Sequence, residues 1–187
     1  MACLFTGGRT TGCNTTDFGG IRRVYLANFQ YVSNLTASAG VVTDLDTVNA
    51  LGVSAPAFYK FDFRRNTASV TETGTAIATT GAVPYVPQIT MVFGGRLSAD
   101  AESIKIMGQA KMVAIVEDAN GKFVIYGALP TIVSGTASGN GLDMTSATYA
   151  SGTNMTDASA WTIVLTGGEN APGLEVPANI MTSAILV

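Results

Sequence analysis

Residues 111–127 read Lys111-Met-Val-Ala-Ile-Val-Glu-Asp-Ala-Asn-Gly-Lys-Phe-Val-Ile-Tyr-Gly127. Two β-branched, apolar runs flank Asp118-Ala-Asn-Gly121, and Asn-Gly tolerates the positive φ that a tight hairpin turn demands. The stretch predicts an antiparallel hairpin and sets the fold class. Upstream, a helix is predicted from about Ala99 to Gln109. Ser98 is placed to cap it, Asp100 and Glu102 fall in its first turn, and Lys105 and Lys111 come late, the charge order that suits the helix dipole. Ala101, Ile104 and Gly108 make a narrow apolar stripe, so one side packs on a sheet.

Further outward the chain reads as strands. Tyr85 to Phe93 alternates Ile89, Met91 and Phe93 with Gln88, Thr90 and Val92, and Pro84 and Pro87 mark an edge or a strand start. Phe58 to Phe63 and Ser69 to Thr75 predict two strands joined by a short turn at Arg64-Arg65-Asn66. Ile21 to Val32 is β-branched and aromatic enough for a first strand. After the hairpin, Ile132 to Ala137, Leu142 to Tyr149 and Ala160 to Thr166 read as strands. The expectation is an all-β fold with one flanking helix, a β sandwich or half-barrel. Residues 1–20 read as an N-terminal arm, and 21–187 as a single β domain with a long loop near 34–55 and a C-terminal strand or arm near 180–187.

Composition narrows the function. Of the 187 residues 12% are charged, half the usual share, yet the mean hydropathy is +0.33. No run approaches the ~18 consecutive apolar residues that would span a bilayer. Such a surface, filled out by Ala, Gly, Ser, Thr and Val, associates unless something covers it, and the expectation is self-assembly with no membrane role. The net charge of −3 comes with no basic stripe, which disfavours a protein that grips nucleic acid. The chain has no histidine and two cysteines, Cys3 and Cys13. That closes the usual zinc sites and the usual serine and cysteine triads, and free thiols made in a reducing cytoplasm are the simpler reading. The start lacks the pattern of a secretory signal. Neither an enzyme nor a cofactor is expected. Asp44, Asp46 and Asp62 are too dispersed for a calcium loop, and Asp118, Asp143 and Asp157 read as turn residues rather than cation ligands.

Three stretches carry a resemblance. They are 111–127 as quoted, Gly141-Leu-Asp-Met-Thr-Ser-Ala-Thr-Tyr-Ala-Ser-Gly152, and Ala160-Trp-Thr-Ile-Val-Leu-Thr-Gly-Gly-Glu169. In their order from Gln88 to Pro172 they resemble the major tail tube protein of long-tailed bacteriophages. The leader with Cys3 and Cys13, Gly19-Gly20-Ile21 and Val24-Tyr-Leu-Ala-Asn28 is similar to the Bacteroidetes-phage-like variety. The resemblance implies a virion protein in which six copies form a ring, neighbouring strands join into an inner barrel, and rings stack into a conduit for DNA ejection. It implies partners: further copies of the chain, a tail terminator, a tape-measure protein and baseplate or tail-tip proteins, with genomic DNA passing unbound and assembly in the host cytoplasm.

Within that expectation Arg22, Arg23, Arg64 and Arg65 are candidates for ring-to-ring salt bridges with Asp44, Asp46 or Glu72. Thr71, Thr73 and Thr75, with neighbouring acids, are the expected lumen-facing side. The leader and the 34–55 loop would bridge rings. Two alternatives stay open. Another virion component, such as a head decoration, neck or tail-terminator protein, predicts small closed oligomers. A carbohydrate-binding β sandwich predicts a monomer with an exposed platform built from Phe58, Tyr59, Phe61, Phe63 or Trp161, although alternating aromatics are more often core.

Overall fold

Val24 and Leu26 face one hydrophobic core while Tyr25 and Ala27 face another, so the strand Ile21–Asn28 is buried on both sides. In the computed structural model, which describes residues 19–48, 52, 57–95, 98–128 and 140–186, this strand, β1, lies antiparallel to the first strand of the Asn-Gly hairpin. The other strands are β2 (Val32–Ser38), β3 (Val41–Thr47), β4 (Phe58–Asp62), β5 (Ala68–Gly74), β6 (Tyr85–Gly94), β7 (Met112–Asp118), β8 (Phe123–Tyr126), β9 (Leu142–Ala150), β10 (Ala160–Gly167), β11 (Leu174–Val176) and β12 (Ile185–Leu186). The helices are α1 (Ser98–Gln109) and α2 (Ala178–Ala184). The fold is all-β with flanking helices.

The run Met112 to Val116 has no polar alternation because β7, like β1, is sandwiched: Val113 and Ile115 enter the first core, and Met112, Ala114 and Val116 the second. Such unbroken apolar runs are what a strand covered on both faces requires. One sheet runs β4-β1-β7-β8-β11-β3-β2, and Leu35, Val42 and Leu45 from its far end share the first core with Tyr25 and Ile115. Met181 of α2 and Phe58 of β4 close that core, with β12 parallel to β4. A second four-stranded sheet, β9-β10-β6-β5, covers the other face and supplies Leu142, Ile163, Leu165, Ile89 and Met91.

Among the described residues the two sheets meet at one backbone pair, Met112 with Leu142. Gly127 sits in this corner at φ +88°, where a Cβ would come 2.7 Å from the Met112 carbonyl oxygen. The buried Glu169 carboxylate accepts a hydrogen bond from the Gly127 N–H. Only glycine combines that φ with that approach.

Several expectations change. The 34–55 region is not a long loop over its first part. Residues 32–47 form a hairpin, turning at Ala39 (φ 52°) and Gly40 (φ 83°), the pair of positive values of a type I′ turn. Its outer positions are Asn, Thr and Asp, which imitate loop composition, while Leu35, Val42 and Leu45 point inward. The first strand ends at Asn28, and a single 3₁₀ turn, Phe29–Tyr31, leads into β2. The tail near 180–187 is chiefly α2, with β12 only two residues long. Ile104 and Met107, not Ala101, form the buried side of α1. The expected strand at 132–137, the 1–18 part of the arm with both cysteines, and most of 49–56 lie outside the described residues.

A candidate assembly surface

The second sheet turns its apolar side inward and presents hydroxyls outward. Ile163 and Leu165 of β10 are fully buried, so by strand alternation Thr162, Val164 and Thr166 lie on the opposite face. Their cross-strand partners continue the pattern: Val92, Thr90 and Gln88 on β6, then Ser69 and Thr71 on β5. On the other side stand Thr148 and Ser146 of β9. A bulge between Val164 and Leu165 leaves Thr145 as the extra residue, its hydroxyl donating to the Val164 carbonyl at 3.3 Å. Threonine and valine suit this plane because a branched Cβ packs well on a pleated surface.

Charge is nearly absent. Across β5, β6, β9 and β10 the charged side chains are Glu72 and Asp143. Asp143 lies on the outer face opposite Thr166, and Glu72 turns the other way, accepting from the Gly173 N–H at 2.9 Å. Thr71 and Thr73 are therefore on the hydroxyl face, and Thr75 is exposed just beyond the end of β5. The acids expected beside them reduce to Asp143.

Edges are open as well. Among the described residues β5 pairs with β6 alone, and β9 beyond Leu142 pairs with β10 alone. Free sheet edges are usually guarded by lysine, proline or short length; β5 and β9 have neither lysine nor proline and run seven and nine residues. Pro87 does not interrupt the ladder, because β6 pairs with β10 only from Gln88 onward.

The predicted salt-bridge residues are not gathered in one place. Arg23 is engaged within its own chain: its Nε donates to Asp62 at 2.8 Å and its terminal nitrogen reaches both oxygens of Glu117 at 3.1 and 3.2 Å. The Tyr25 hydroxyl donates to Glu117 at 3.0 Å, and Arg22 stands 3.7 Å away. Glu117 is 3% exposed, so this cluster neutralises a buried charge between β1, β4 and β7. Its effects on titration follow. The Arg23 guanidinium holds Asp62 below the usual carboxylate range and is itself pushed up, and burial, then the bond to Glu117, raises Tyr25. Sequence reasoning missed Glu117, and its partner lies 94 positions away. Asp44 and Asp46 instead share the Asn34 amide, at 3.0 and 3.4 Å. Arg64 and Arg65 are exposed in the β4–β5 turn, where the Arg64 carbonyl accepts from Thr67.

The aromatics form no open platform. Phe58 is fully buried, Phe61 and Phe63 pack on Phe93 at 5.7 and 5.2 Å, and Trp161 packs on Tyr149 at 5.3 Å, leaving Tyr59 exposed. Asp118 and Asp157 are hydrogen-bonded to their own turns, Asp118 to the N–H groups of Asn120 and Lys122 and Asp157 to those of Thr153 and Asn154. Among the described residues no group of three metal-ligating side chains comes together, and no helix is long and apolar enough to cross a membrane.

Tyr126, 6% exposed in the second core, gives a pH prediction. Burial, with Glu72 and Glu169 adding to it, pushes its phenol up to about 12, against about 10 in an unfolded chain. A raised acid stabilises the fold fully below the unfolded value and loses that contribution as pH rises through the folded one. Thermal melts are expected to show Tm falling between about pH 10 and 12, with a smaller fall in Tyr126→Phe. An equal fall in both would remove Tyr126 as the cause.

Comparison of the chain with known protein families, with curated proteins and with solved structures finds no match.

Proposed function

We propose that this chain is a structural virion protein, the tail tube subunit of a long-tailed bacteriophage, whose copies close into rings through the edges of the four-stranded sheet. The observation that carries the reading is the β9-β10-β6-β5 sheet, with a hydroxyl face whose one charged side chain is Asp143 and two unguarded edges. Lateral addition of β5 from one copy beside β9 of the next satisfies both edges and leaves none in the closed ring. The ring number of six, and the terminator, tape-measure and baseplate partners, come from the sequence resemblance. In this reading the hydroxyl face, with Thr71 and Thr73, lines the lumen. Short hydroxyls hold water and present no cationic site, so DNA passes without being bound.

Negative-stain electron microscopy of the concentrated recombinant protein is the test. Hollow tubes of uniform width with a regular axial repeat are expected. A protein that sediments as a monomer at the same concentration, and whose Tm rises with a glycan, would overturn the reading in favour of a binding module. Small closed rings that never stack would instead mark a neck or terminator component.

A further inference from the structure

The β5–β6 hairpin does not stop where the body of the protein ends. Beyond the Gly74–Tyr85 pair the ladder continues, Thr75 N–H to the Pro84 carbonyl at 3.1 Å and Ile77 N–H to the Ala82 carbonyl at 2.8 Å. Thr80 and Gly81 close the tip onto the Ile77 carbonyl. Every residue from 71 to 83 is exposed. At roughly 3.3 Å per residue the arm stands about 15 Å beyond the sheet. Residues 73–95 carry no charged side chain, and Ile77, Val83 and Val86 are 42%, 38% and 47% exposed. A free two-stranded hairpin is marginal in water, and an uncharged one with exposed branched apolar side chains calls for a cover.

At the opposite end of the same sheet lies a cleft of about 570 Å³, between the β4–β5 turn and the β9–β10 loop. Phe63, Val92, Phe93, Ala158 and Ala160 supply apolar lining, with Arg64 and Asp62 also lining it. One wall is the 151–159 loop, which Asp157 ties together through the N–H groups of Thr153 and Asn154. Strand β6 spans the distance from arm to cleft, about 30 Å for its ten residues, and the arm points away from its own cleft.

We infer that the 75–84 arm of one copy docks in the cleft beside Phe63 and Phe93 of the next, making a head-to-tail contact along the strand direction. The occupant is a second copy because each chain carries one arm and one cleft at opposite ends of one sheet, so translation along that sheet brings them together. The arm is uncharged, and of the two charged residues at the cleft Asp62 is already held by Arg23. A heterologous contact of this kind does not close on itself and propagates. The inference rests on the self-assembly reading and assigns its axial contact to the arm and to the cleft that Arg64 borders.

Cysteine cross-linking tests it in the full chain with Cys3 and Cys13 changed to serine. Ile77→Cys and Ala158→Cys are introduced singly and together, oxidised with copper phenanthroline, and run on a non-reducing gel. The double variant is expected to give a ladder of dimers, trimers and higher species, and each single variant monomers. Dimers from Ile77→Cys alone would show arm meeting arm, and monomers from the double variant would show no contact; either overturns the inference. The tube reading fails separately. A ladder from filaments without a lumen keeps the head-to-tail contact and removes the tube, whereas rings without a ladder keep the ring and remove the contact. As a second check, Ile77→Asp with Val83→Asp is expected to cut the pelletable fraction at least tenfold with Tm unchanged, since both side chains are exposed; an unchanged pellet overturns the inference.

Discussion

Phe58→Ala is expected to lower the unfolding free energy by about 3–5 kcal/mol, the largest effect of a single core substitution among the described residues. Phe58 is the largest fully buried side chain among the described residues. It stands at the start of β4 opposite Ile185 of β12, in the core that the β2–β3 hairpin and α2 close. Removing the ring takes away its transfer free energy and leaves a cavity whose walls belong to several sheet strands and a helix, elements that cannot all move inward together. For a chain of this length that corresponds to a Tm fall of roughly 10 °C or more. Urea unfolding checks the figure, with Phe58→Leu as the control that keeps most of the volume and costs about 1–1.5 kcal/mol. A loss under about 1 kcal/mol for Phe58→Ala would mean that the site collapses and that the first core is not packed as described.

The second large effect belongs to Arg23. Arg23→Ala removes the side chain that bonds both Asp62 and the buried Glu117, leaving Glu117 with the Tyr25 hydroxyl and a distant Arg22. An uncompensated buried carboxylate is expensive, and a loss of about 2–3 kcal/mol is expected, below the full buried-pair figure because Arg23 keeps some contact with water. The pH dependence has a definite sign. Asp62 has its pKa lowered by Arg23, so its contribution is present above the unfolded carboxylate range and is lost as pH falls through the lowered value. The stability gap between the parent and Arg23→Ala is therefore expected to narrow in acid. Chemical denaturation at neutral and acid pH measures it, and a gap that widens in acid would contradict the assignment.

These two sites bear on the proposed assembly through rigidity. Phe58 and Arg23 hold β4 against β1, and β4 together with the turn that follows it forms one side of the cleft assigned to the neighbouring copy's arm. Arg23 illustrates how a residue expected to contact another copy makes ion pairs within its own chain. Arginine on a strand looks solvated from sequence, and the carboxylates that claim Arg23 come from strands distant in the chain.

Local chemistry in the sequence determined several of the strands and the β7–β8 turn. Asn120-Gly121 fixed the β7–β8 hairpin, and the alternation of Ile89, Met91 and Phe93 fixed the inner face of β6. The same alternation already assigned Thr71 and Thr73 to one side of β5, because side-chain direction in a strand follows a period of two without reference to any other segment. Tertiary structure alone decided the rest. That β1 and β7 are covered on both faces, that β2 and β3 pair despite a loop-like outer face, and that Arg23 meets Glu117 all depend on segments far apart in the chain, whose approach no local period encodes. Which edges stay open, and that the uncharged arm and the Phe63–Phe93 cleft lie at opposite ends of one sheet, follow from strand order. Strand order is set by how two cores are filled at once, a property of the packed chain and not of any stretch within it.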